Sequence, residues 1–196
     1  MFLYFGIVLL MSQGILAKTH FLILCSLMRD TTRLKQHMRF KYREVNVSEA
    51  IDGDSRIIGG KDAPPGMAKY QVSLRGHRGR EEFHSCGGSI LNEEYVLTAA
   101  HCLYQRDKKD LSIVVGSHSI YKGGNRYQIK NLIPHENYSK LTLKNDIAII
   151  QIEGKFKFNN KVQPIELLKE MAPVGKKCLL TGWGYTDIMS GLIIFD

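Results

Sequence analysis

At 196 residues the chain has room for one domain or a short pair. Its 44% hydrophobic and 23% charged content is that of an ordinary globular protein, and low-complexity tracts and internal repeats are absent. The net charge of +8 divides into +3 over residues 1–56 (8 basic, 5 acidic) and +5 over 57–196 (19 basic, 14 acidic). These basic residues are scattered instead of gathered into one stripe, so no nucleic-acid partner is expected.

The chain opens on an apolar stretch, residues 1–28, interrupted by Ser12-Gln13 and Lys18-Thr19-His20. Phe2–Leu10 has the length of a signal-peptide apolar region, with the small Ala17 suited to cleavage. No Lys or Arg precedes that run. Starting from Met11 instead makes Lys18 the leading charge and Phe21–Met28 the apolar region. A membrane anchor is disfavoured, because Lys18 and His20 would lie mid-span at a cost of about 2.5–3.5 kcal/mol for a charge. The basic residues from Arg29 to Arg43 would also hold the remainder in the cytosol. A secreted protein without a stable membrane span is the preferred reading.

Residues 29–56 are polar, charged and without clear periodicity, and are expected to be a flexible pro-segment. Asn46-Val47-Ser48 within it, and Asn137-Tyr138-Ser139 further on, are N-glycosylation acceptor triplets.

From Ile57 onward, short apolar or alternating runs are broken by Gly, Pro and charge. Strands are expected at Tyr70–Leu74, Ser89–Leu91, Tyr95–Thr98, Leu111–Val115, Tyr127–Ile133, Ile147–Ile152 and Lys177–Thr181. Arg75–Glu82 is expected to be a charged hairpin loop, and Tyr121–Arg126, with its Gly123-Gly124, a turn. No ten-residue segment carries a 3.6-residue stripe. The periodicity alone points to an all-β sandwich or barrel. Of four cysteines, Cys25, Cys86, Cys102 and Cys178, none makes a Cys-x-x-Cys pair or a zinc-type cluster with histidine.

Four motifs stand in order along this part. They are Arg56-Ile57-Ile58-Gly59-Gly60, then Cys86-Gly87-Gly88-Ser89-Ile90 followed by Leu97-Thr98-Ala99-Ala100-His101-Cys102, then Asn145-Asp146-Ile147-Ala148, then Cys178-Leu179-Leu180-Thr181-Gly182-Trp183-Gly184. Together they resemble the trypsin-like serine proteases of the chymotrypsin family. The resemblance implies a Greek-key double barrel, with the first barrel complete and the second only begun, over a partial peptidase domain at 57–196. It also implies a secreted zymogen activated by a trypsin-like protease cutting after Arg56, which frees the α-amino group of Ile57. In the family Cys86 and Cys102 bridge; such a bridge closes a separation of 16, valued at roughly 3 kcal/mol by chain entropy, and fits an oxidising compartment.

The same resemblance assigns His101 as general base and Asp146 as the carboxylate that holds its tautomer and stabilises the imidazolium. Protein or peptide substrates would follow, with no cofactor. The remaining histidines, His20, His37, His77, His84, His118 and His135, are read as structural or surface groups. The family's Gly-Asp-Ser-Gly-Gly segment does not occur after Trp183, nor does a partner for Cys178. The 196 residues alone are therefore expected to be inactive, because no acyl-enzyme forms without a nucleophile. The stretch 116–127, where relatives bind calcium, has no carboxylate, so no metal is expected there. A non-catalytic homologue acting as a binding module or decoy is the alternative reading.

Overall fold

The structure, a computed structural model, describes residues 41–46, 61–169 and 177–183. Strands β1 to β10 span Lys41–Asn46, Lys61–Asp62, Gln71–Arg78, Glu81–Ile90, Tyr95–Thr98, Leu111–Val115, Asn125–Tyr127, Ile129–Pro134, Ala148–Ile152 and Lys177–Gly182. Helix among the described residues is confined to 3-10 turns at Ala100–Cys102 and Lys108–Asp110.

Seven of the strands form one antiparallel sheet in the order β7-β6-β3-β4-β5-β9-β8. Its outer strands β7 and β8 are consecutive in the chain, with Gln128 alone between them, so the sheet curls back into a nearly closed barrel. The all-β, chymotrypsin-like fold implied by the motifs is the fold that forms. Alternation drives it: along β9, Ala148, Ile150 and Ile152 are buried, while Ile149 and Gln151 are half-buried. They meet Val72, Leu74, Ile90, Val96, Ile113 and Val115 in one core.

The expected strands are present with several bounds shifted, and the larger differences are the following. Arg75–Glu82 is not a loop. β3 runs to Arg78 and β4 starts at Glu81, leaving only Gly79-Arg80 to turn, with Gly79 at a left-handed φ of 59°. Charges that suggested a loop are paired instead: Glu82 accepts from Arg75 across the hairpin at 3.5 Å and from Arg126 of β7 at 2.5 Å. Burial pushes the Glu82 carboxyl up, but the Arg126 hydrogen bond and the charges of Arg126, Arg75 and His77 outweigh it and hold it low.

The single strand expected at Tyr127–Ile133 divides at Gln128, because β7 pairs with β6 while β8 pairs with β9. The turn expected at Tyr121–Arg126 ends at Gly124, and Asn125 already belongs to β7. A Cβ on Gly124 would lie 2.7 Å from the Val115 carbonyl oxygen, and its φ is +81°, so glycine lets β7 close on β6.

Part of the expected pro-segment is also ordered. β1 lies between β2 and β10, antiparallel to both, and all its residues pair with Lys177–Gly182. The opening strand of the second barrel presents an edge, and the segment Lys41–Asn46 pairs with its backbone groups. β10 is itself docked on the first barrel. The Thr181 hydroxyl donates to Gln71 Oε1 at 2.7 Å, and the buried Trp183 donates from Nε1 to the His118 carbonyl at 3.1 Å.

Candidate active site

Strand register brings His101 and Asp146 together. β5 and β9 pair antiparallel with Thr98 opposite Ala148, so the end of β5 and the start of β9 lie on one rim of the barrel. His101 follows Thr98 by three positions and Asp146 precedes Ala148 by two, which places both on that rim.

The histidine is mounted firmly. It sits in the 3-10 turn Ala100–Cys102, entered from the extended Ala99. A disulfide ties Cys102 in this turn to Cys86 on β4. Thr98 donates its hydroxyl to the Gly87 carbonyl at 2.8 Å, adding a second tie between β5 and β4. Gly88 makes the close approach possible, since a Cβ there would lie 2.8 Å from the Leu97 carbonyl oxygen and 2.9 Å from Val96.

Asp146 grips His101 with both carboxylate oxygens. Oδ1 accepts the His101 backbone N–H at 2.7 Å, and Oδ2 lies 2.6 Å from Nδ1. An ionised carboxylate only accepts, so the proton of this bond belongs to Nδ1, and the neutral imidazole presents Nε2 as its basic nitrogen. The two side chains are 26% and 14% exposed, so the imidazole is the more open member of the pair and the acid the more sheltered.

A wall of aromatic side chains stands beside the acid. Tyr138 packs edge-on to Tyr104 with ring centroids 6.0 Å apart, and Lys140 Nζ lies 5.1 Å from the Tyr104 ring centre. Burial first, then the charges of Asp146 and Tyr104, hold the Tyr138 proton more tightly than in an ordinary tyrosine. Nothing in the periodicity of this loop marked these two tyrosines. Their closeness to His101 and Asp146 in sequence was the available signal. Leu143 and Asn145 both take left-handed backbone conformations just before Asp146, at φ 52° and 57°.

Two other histidines, His84 and His77, are bonded elsewhere in the barrel. His84 is buried, bonds Ser73 Oγ through Nδ1 at 2.7 Å, and is pushed down to about 3 by burial and then by Arg75, so it stays neutral. His77 reaches Ser112 Oγ at 3.0 Å. Cys86, His101 and Cys102 cluster like metal ligands, but both sulfurs are spent in the disulfide, leaving one imidazole to offer. In the carboxylate-free 116–127 stretch, Ser117 Oγ lies 2.7 Å from the carbonyl oxygens of both Ser119 and Lys122.

Asn137 is exposed in a turn, and Asn46 ends β1 opposite Lys177. Arg56 and Ile57, the expected cleavage point, lie outside the described residues, as do the apolar N-terminal stretch and most of the pro-segment. Among the described residues no helix is long and apolar enough to cross a membrane.

A family model described as Trypsin matches residues 57–190. The chain is similar to "Serine protease 1" of Rattus norvegicus, with 36% identity over 143 residues, 71% of this chain and 54% of that protein. Against "Trypsin epsilon" of Drosophila erecta the identity is 38% over 134 residues, 68% of this chain and 51% of that one. Against "Chymotrypsin-2" of Vespa crabro it is 40% over 129 residues, 65% and 56% respectively. The chain spans about half the length of the curated relatives it matches.

Proposed function

Because the chain belongs to the trypsin family of serine proteases, we propose that its chemistry is peptide-bond hydrolysis by a Ser/His/Asp triad in a secreted zymogen activated by cleavage after Arg56. The observation that carries this reading is the two-oxygen grip of Asp146 on His101, at 2.7 and 2.6 Å. It leaves Nε2 as the atom that takes a proton from the nucleophile and returns it to the leaving amine. Protein or peptide chains are the proposed substrates, and a protease cutting after arginine the proposed activator.

The 196 residues hold the base and its orienting acid, while the family's nucleophile motif is absent from them. By themselves they are proposed to be inactive, since proton transfer at Nε2 has no hydroxyl to activate. Secretion is supported by the Cys86–Cys102 bridge and by the exposed acceptor at Asn137, which we propose is glycosylated, as we do for Asn46.

Protein isolated from its native source tests the reading, using a serine-directed fluorophosphonate applied before and after limited trypsin digestion. Labelling is expected only after digestion, with Ile57-Ile58-Gly59-Gly60 as the new N-terminus. Absence of label in both samples overturns the endopeptidase assignment and leaves the binding-module reading. The 196-residue polypeptide produced alone is expected to stay unlabelled, and time-dependent labelling of it would refute its proposed inactivity.

A further inference from the structure

We infer that Asn145 is a positioning residue, which turns the Asp146 carboxylate onto His101 through its left-handed backbone and a side-chain tie across the loop. The ladder between β8 and β9 ends with Pro134 opposite Ala148, extended by a His135 N–H bond of 2.9 Å to the Ile147 carbonyl. Beyond that point the chain must turn sharply. The Ile147 N–H bonds back to the Asn145 carbonyl at 2.8 Å, closing a three-residue turn around Asp146. The turn is entered from φ 57° at Asn145, a region that asparagine tolerates far better than alanine or branched residues.

The side chain anchors the same end of the turn across the loop. Asn145 Nδ2 donates to the Asn137 carbonyl at 2.8 Å, tying it to the segment that carries Tyr138. Asn145 is exposed and buries nothing in the core, so its side chain is not needed for packing. Asp146 by contrast must satisfy two donors of His101 at once, and a bidentate grip tolerates little rotation of the backbone beneath it. Its relevance to catalysis rests on the endopeptidase reading above, whereas its effect on the His101–Asp146 pair does not.

The full 196-residue chain with 15N-labelled histidine tests it by NMR, without any turnover. The His101 Nδ1 proton is expected as a deshielded, slowly exchanging signal. Asn145→Ala, which loses both the amide and the tolerance for positive φ, should speed its exchange by about tenfold or erase it. Asn145→Gly keeps the backbone freedom and loses only the amide, so it should fall between. Gln105→Ala, at another exposed left-handed position (φ 54°) outside this loop, should leave the signal unchanged.

Native exchange in both Asn145 variants overturns the inference, as does an equal loss in Gln105→Ala. If Asn145→Ala fails to fold, Asn145→Gly decides alone. If the 196-residue chain responds as expected while protein from its native source takes no fluorophosphonate label, the positioning role stands and the protease assignment is lost.

Discussion

Two histidines in one barrel illustrate how surroundings assign chemistry. His101 is bound to a carboxylate at the rim and partly open, whereas His84 is buried with Ser73 and held neutral. For His84 the consequence is a pH dependence of folding. Above pH 6.5 neither the folded nor the unfolded chain protonates it. Between 6.5 and about 3 only the unfolded chain takes the proton, so its share of stability is lost as the pH falls, by up to about 1.4 kcal/mol per pH unit. Urea unfolding across this window should show a shallower slope in His84→Asn than in the wild type. Equal slopes would mean that His84 is already charged in the fold. The sequence motif singled out His101 and Asp146, which the fold pairs, because their flanking residues are distinctive, but no local pattern separates a buried neutral histidine from a surface one. That distinction depends on burial by residues distant in sequence, among them Ser73, a neighbour 11 positions away across a hairpin.

At the scale of elements, strands are placed by alternation but bounded by their partners. Leu111–Val115 and Tyr95–Thr98 were legible to the residue, as apolar runs between polar turns. The arms of β3 and β4 were not, since Arg75, His77 and Glu82 look like loop residues until they pair with one another across the strands. The histidine turn is held to this sheet by covalent and steric means that can be tested separately. Replacing Cys86 and Cys102 together with serine should lower stability by roughly 3 kcal/mol on the loop-entropy estimate, read as a fall in the denaturant midpoint. Gly88→Ala should cost about 1–3 kcal/mol, because the new methyl meets a backbone oxygen that cannot swing aside. A stability equal to wild type would show that β5 can shift away from β4 without loss.

Across the whole molecule, the least legible feature was the pairing of β1 with β10. Its residues carry no apolar stripe, and the reason they order is the waiting edge of a strand more than a hundred positions away. The register sets Val45 opposite Cys178 and Glu44 opposite Leu179. Val45→Cys should therefore cross-link to Cys178 under mild oxidation, visible as a band of altered mobility without reductant. Glu44→Cys should cross-link much less, and the reverse order would show a register slipped by one. Cleavage after Arg56 would leave this ladder intact, so the segment carrying β1 should co-elute with the remainder on gel filtration until denaturant is added. The β5–β9 rim has a different consequence, which concerns the order of synthesis. Everything that joins His101 to Asp146 lies between Gln71 and Ile152, within the barrel that leaves the ribosome first. The pairing of His101 with Asp146 thus lies wholly within the first barrel, and no residue of β10 takes part in it.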